Sequence, residues 1–239
     1  MDSPAITVSV RINDGTVIED LPWTTVSIDL LRAATPWRKF RWRHGQRHHP
    51  GSYWSSTMGD HVPYESQLEL SRLLFADFDP LVQSIVAQPF LLKAALKGRI
   101  CRHTPDFLLI TSRGPMVVDV KPSRQLGRPE VVFAFGWTGR AVEGRGWRYE
   151  VWSEPAETEL ANLRFLAGYR RGRLFPSGVL DELRQADLDG IALGDAVRSL
   201  PHLPTPFVRA AVYHLLWTHE LLTDLGRPLA SSVLLRRPT

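Results

Sequence analysis

The sequence predicts an α/β chain in which a mixed sheet flanked by helices is followed by a small α+β domain. Three observations carry that prediction. Runs of alternating apolar residues at 5–19 and 104–121, bounded by turn residues, read as strands. Helical patterning at 64–77 and from Pro129 to Val142 brackets the second run. After Glu154-Pro155 the composition shifts to short helices. The order helix, three or four strands, helix, strand is that of an α/β sandwich and not of a doubly wound sheet.

At 239 residues the chain is long enough for one large domain or two small ones, each with its own core. A hydrophobic content of 44% and a charged content of 23% are those of a soluble globular protein. No apolar run approaches the roughly 20 residues that span a bilayer, and no basic start followed by an apolar core marks a secretory leader. The single cysteine, Cys101, excludes an internal disulfide and a cysteine-based zinc knuckle. The expectation is a cytoplasmic protein with no membrane contact.

The elements follow in order. Ile6, Val8, Val10 and Ile12 alternate up to a turn at Asn13-Asp14-Gly15, and Val17 resumes the pattern, which is a hairpin signal. The surplus of +4 charges lies entirely within residues 1–150, and it is sharpest between Arg32 and Gly59. That stretch holds Arg32, Arg38, Lys39, Arg41, Arg43 and Arg47, no acidic residue, and Trp37, Phe40, Trp42, Tyr53 and Trp54 among them. A basic block interleaved with aromatics is the footprint of a polyanion contact, and Arg38, Lys39, Arg41, Arg43 and Arg47 are its DNA-binding candidates. The same composition also suits a solvated loop with its tryptophans tucked into a core. Pro36, Gly45, Pro50 and Gly51 argue for irregular structure there. His44, His48 and His49 lack a second cluster at ligand spacing and read as part of a basic loop.

Tyr64–Asp77 carries helical spacing, with Glu65 and Glu69 four apart on one face. Like charges there cost a few tenths of a kcal/mol unless a cation stands nearby. Two exposed surface glutamates would look the same. Val82–Val86 and Gln88–Leu92 read as strands leading through a turn at Lys97-Gly98-Arg99 into the hairpin of Thr104–Lys121. In that hairpin Asp119 and Lys121 point one way and Val118 and Val120 the other. Asp106 enters the neighbouring strand just after a proline. Two carboxylates and an ammonium at one sheet edge suit a hard divalent cation, although an Asp-x-Lys on an exposed strand is also an ordinary solvated face. Trp147–Trp152 alternates again as the last strand.

Past residue 154, helices are expected at Glu159–Tyr169, Ser177–Gln185, Ala192–Leu200 and Phe207–His219. Two small strands at Leu221–Thr223 and Val233–Leu235 complete a winged-helix outline. As a DNA reader it is poor. Its recognition helix would offer Arg209 with Tyr213, His214 and Thr218, on a stretch with balanced charge, so this domain is better suited to a protein.

Glu69, then Asp106, then Asp119-Val120-Lys121 follow the order and spacing of the PD-(D/E)xK nuclease core, with Pro105-Asp106 as its first element. The text around them is more specific. Tyr64-Glu65-Ser66-Gln67-Leu68-Glu69, Asp77-Phe78-Asp79-Pro80, Gln88-Pro89, Thr104-Pro105-Asp106-Phe107 and Asp119-Val120-Lys121-Pro122 resemble, in this order, the TnsA family of endonuclease subunits of heteromeric transposases. The motifs cover about residues 60–125, and the winged-helix outline extends the likeness to most of the chain. The basic aromatic block has no counterpart in it.

The resemblance implies a restriction-endonuclease-like mixed sheet flanked by helices, followed by a small winged-helix-like α+β domain. The parts expected are an N-terminal segment at 1–60 within the nuclease domain, a nuclease core at 61–154 and the last domain at 155–239. It implies that Glu69, Asp106, Asp119 and Lys121 are catalytic, with Glu65 in reserve for Glu69. Mg²⁺, with Mn²⁺ able to substitute, would be held by Glu69, Asp106, Asp119 and the Val120 carbonyl. The implied activity is cleavage at the 5′ ends of a transposon by two-metal hydrolysis. The implied partners are DNA, a DDE-type transposase subunit and an ATPase regulator. Two other readings stay open: a stand-alone restriction, repair or defence endonuclease, and a catalytically inert DNA- or protein-binding adaptor.

Overall fold

Alternation of apolar residues gives ten strands among the described residues, and helical spacing gives seven α-helices, three among the strands and four after the last. The computed structural model describes residues 5–38, 50–96, 98–175 and 177–238. The chain divides into two units, 1–154 and 155–239. It is mixed α/β, with antiparallel and mixed sheets flanked by helices. Among the described residues no helix is long and apolar enough to cross a membrane.

In the first unit, β1 (Ile6–Arg11) and β2 (Val17–Pro22) form the expected hairpin, closed by Gly15 at φ +85°, a conformation glycine adopts without strain. A short helix, α1 (Ile28–Arg32), follows. The stretch expected to be irregular contains a second hairpin, β3 (Gly51–Ser55) with β4 (Asp60–Tyr64). Its strand character lies in alternately buried Tyr53, Ser55 and Val62, which the basic composition and Pro50-Gly51 obscure. The boundary expected after residue 60 falls inside this hairpin.

Helix α2 (Gln67–Phe78) leads to β5 (Val82–Ala87), then β6 (Leu91–Leu96), β7 (Arg99–His103), β8 (Phe107–Thr111) and β9 (Gly114–Val120). The β8–β9 turn is Ser112-Arg113, with Gly114 and Pro115 already in the strand. Helix α3 (Pro129–Glu143) opens with Pro129, where a missing N–H costs nothing. Strand β10 (Arg148–Trp152) then pairs parallel to β9.

These strands form two larger sheets instead of one. β2-β1-β6-β7 is antiparallel throughout, and β10-β9-β8-β5 is mixed. The first sheet packs its Val8, Val10, Leu92 and Ala94 with Leu108 and Val117 of the second and Trp137, Ala141 and Val142 of α3. Arg145 fastens the same layer. Its guanidinium donates to the carbonyls of Trp23 and Val26 and lies over the Trp23 and Trp147 rings, 4.7 and 4.1 Å from their centroids. On the other face of the mixed sheet, Arg72 of α2 donates from Nε and Nη2 to Glu150 at 3.1 and 2.7 Å. With both faces covered, β9 is buried from Val117 to Val120, and Asp119 is not on a solvated face.

In the second unit, α4 (Glu157–Leu166), α5 (Ser177–Gln185) and α6 (Leu193–Arg198) surround α7 (Thr205–Trp217), whose Val208, Ala211, Val212 and Leu215 are wholly buried. The two small strands expected at the end reduce to isolated bridges, Leu222 with Arg236 and Ala192 with Leu234. Tyr213 and His214 of α7 are buried, and His214 Nδ1 donates to the Tyr169 carbonyl at 2.7 Å. Of the residues expected on a recognition surface, Arg209 and Thr218 are exposed.

Candidate functional site

The pairing register brings one end of the mixed sheet together. β5 ends at Ala87 opposite Phe107, where β8 begins; Phe107 faces Val118, and β10 ends with Trp152 beside Val120. Asp106 extends β8 by one residue. Its N–H donates to Val118 O at 3.1 Å and its carbonyl accepts from Gln88 N–H at 2.8 Å. Continuing the register sets Asp106 opposite Asp119, and on one face of neighbouring strands such a pair lies within about 5.5 Å at Cβ. Lys121 leaves the strand at this edge, its N–H bonded to Trp152 O at 2.9 Å and its carbonyl to Ser153 Oγ at 2.7 Å. Its ammonium makes no ion pair among the described residues.

Asp106 carries the unbalanced charge. Among the described residues one donor, Val120 N–H, reaches its Oδ2, at 2.7 Å. Burial pushes its carboxyl well above the usual range, and the charges of Glu69 and Asp119 push it further. The Val120 N–H and the Lys121 ammonium offset this only in part. The residue nonetheless keeps an opening to solvent.

Glu69 stands in the first turn of α2, in a reciprocal cap. Ser66 Oγ accepts from Glu69 N–H at 3.1 Å and donates to Oε1 at 2.9 Å, while Glu69 Oε2 accepts from Glu65 N–H at 2.8 Å. Burial raises its carboxyl despite those donors. The alternative of two exposed surface glutamates does not describe the pair: Glu65 is partly exposed, and Glu69 is 9% exposed. The cation that offsets their like charges is Arg38, whose Nη1 lies 3.3 Å from Glu65 Oε2. Arg38 N–H also donates to Gln88 Oε1 at 3.0 Å, and Trp37 N–H to the Gln88 carbonyl at 3.0 Å. Gln88 holds them from a buried position at φ +43°. The other DNA-binding candidates, Lys39, Arg41, Arg43 and Arg47, lie outside the described residues, as do His44, His48 and His49.

Asp119 has partners that sequence reasoning missed, His103 of β7 and Tyr149 of β10. Neither has a motif. Their only signal is strand alternation: Tyr149 pairs with Val117, on the face that carries Asp119.

Among the described residues, no three His, Cys, Asp or Glu side chains are grouped to hold a metal ion. Glu69 is turned into its helix cap and Asp119 towards His103 and Tyr149. What fits a cation is the donor chemistry, hard carboxylate oxygens, and the repulsion at Asp106, which a divalent charge would relieve. Chemically, the edge offers carboxylates that repel one another beside the Lys121 ammonium, which makes no ion pair among the described residues. No protein-family model matches the chain, and no curated protein matches it.

Proposed function

We propose that the first unit is a Mg²⁺-dependent DNA endonuclease of PD-(D/E)xK type, and that it works as the TnsA-like subunit of a heteromeric transposase. The observation that carries the reading is Asp106, a carboxylate crowded by Glu69 and Asp119 with Lys121 alongside. The fold order supports it. Helix α2 precedes three antiparallel strands of one sheet, β5, β8 and β9, and helix α3 leads to β10 parallel to β9, as a restriction-endonuclease-like core requires. In the second unit, α5, α6 and α7 followed by the Leu222–Arg236 bridge support the winged-helix-like reading.

Asp106 would hold the cation, with Glu69 and the Val120 carbonyl; the resemblance adds Asp119. Bound there, Mg²⁺ supplies a Lewis acid for a phosphoryl oxygen and a more acidic water. The chain's own part falls to Lys121 and the basic segment. The Lys121 ammonium, fixed at its backbone, orients the attacking water and stabilises charge as it develops on the phosphate. Arg38 and the segment it opens hold the DNA backbone. Its partners on this reading are DNA, a DDE-type transposase and an ATPase regulator.

The test is nicking of supercoiled plasmid in Mg²⁺ or Mn²⁺, by the purified chain alone and with any recombinase encoded beside it. Wild type should cut and Asp106→Ala should not. Equal activity in both sinks the assignment, and cutting without a recombinase gene nearby favours a restriction, repair or defence enzyme. One observation favours the inert adaptor instead: the Glu69 and Asp119 carboxylates are already hydrogen-bonded. Absence of cutting in every combination decides for it.

A further inference from the structure

Asp119 is 1% exposed, and each of its oxygens has a donor. His103 Nε2 stands 2.8 Å from Oδ1 and 2.9 Å from Oδ2, and the Tyr149 hydroxyl stands 2.5 Å from Oδ2. An ionised carboxylate only accepts, so the imidazole donates from Nε2 and the phenol from its hydroxyl. The three residues come from three strands and two sheets, β7 of the antiparallel sheet and β9 and β10 of the mixed one.

Helix α3 fixes both donors. Phe135 and Trp137 meet the His103 ring edge to face, at centroid distances of 5.9 and 6.3 Å. The Tyr149 ring lies so close to Gly139 that a Cβ there would stand 2.9 Å from Cδ1. Turning Asp119 away would leave two partly buried donors without their acceptor, which is costly. Asp106 has one backbone donor and no such restraint.

We propose that Asp119 is a positioning residue, locked by His103 and Tyr149, and that the cation falls to Asp106. Asp119 then contributes its field to Asp106 and not its lone pairs. The lock stands on geometry alone, whereas the cation assignment rests on the metal-nuclease reading.

Two measurements on the full chain test the two halves separately. Calorimetric titration with Mn²⁺ should show binding lost in Asp106→Asn, and affinity lowered about 10- to 100-fold but not lost in Asp119→Asn, which removes a charge beside the site and no ligand. Thermal melts without metal should show Tyr149→Phe and Asp119→Asn each lowering Tm, with the double variant losing no more than the larger single loss, because both break one network. Additive losses overturn the lock. Loss of Mn²⁺ in Asp119→Asn equal to that in Asp106→Asn overturns the cation assignment and leaves the nuclease reading standing. A wild type that binds no Mn²⁺, with non-additive melts, overturns the metal reading and keeps the lock.

Discussion

Asp77 and Asp106 are both enclosed aspartates of the first unit, and they are held in opposite ways. Asp77 sits in the last turn of α2, where the helix dipole opposes its charge. Five donors answer it: the Tyr53 hydroxyl, the Ser55 hydroxyl, the Ser56 N–H and hydroxyl, and the Thr57 N–H, at 2.6 to 3.2 Å. They tie the β3–β4 turn to the helix. Asp106 has one donor and two carboxylates for neighbours. A satisfied buried charge is a structural fastener, and a frustrated one is a site waiting for a ligand.

That contrast can be broken by mutation. The largest effect is expected from Asp77→Ala, which leaves four residues' donors without their acceptor. It should cost ~3 kcal/mol or more in a denaturant melt. Asp106→Asn should go the other way in metal-free buffer, raising Tm by ~2–4 °C, the shift that ~1 kcal/mol gives in a domain of this size. A Tm lowered by this substitution would end the comparison.

The pH dependence sharpens it. Because folding raises the Asp106 carboxyl above its unfolded value, the folded chain binds more protons there than the unfolded one. Stability from this group is therefore present at low pH and lost as pH rises from about 4, its unfolded range, through the raised folded value. Melts against pH should show that decline in wild type, a shallower one in Asp106→Asn, and recovery on adding Mn²⁺.

Two smaller effects follow. Ser66→Ala removes the helix cap and should cost ~1 kcal/mol, and it also releases one Glu69 oxygen, so Mn²⁺ affinity should not fall with stability. Arg38→Ala breaks an exposed ion pair worth less than ~1 kcal/mol. It should leave Tm nearly unchanged while reducing the salt slope of DNA binding by about one.

Much of the element order was legible in the sequence, because Leu70, Leu73 and Leu74, or Val8 and Val10, advertise their period directly. The β3–β4 hairpin was not, since its buried Tyr53 and Val62 are diluted by basic and turn residues. The meeting of Asp106, Asp119 and Lys121 at one sheet edge was legible, because a proline and an alternating strand mark that edge. Ser66-Gln67-Leu68-Glu69 carries a capping-box signature, and reading Glu69 only as a ligand passes it over. His103 and Tyr149 were out of reach, because their meeting with Asp119 depends on two sheets and a helix that no local pattern specifies.

The two sheets also differ in how far apart their strands lie along the chain. β8 and β9 meet across a two-residue turn, whereas β1 must find β6 more than 80 residues away. Local pairings close faster than distant ones. During synthesis and refolding, the Asp106–Asp119 hairpin and the β6–β7 hairpin that carries His103 should therefore both close before β1 docks. An early intermediate would expose paired acids and an open sheet face to passing cations and neighbouring chains, and the interval before β1 docks is when this protein is most exposed to misassembly.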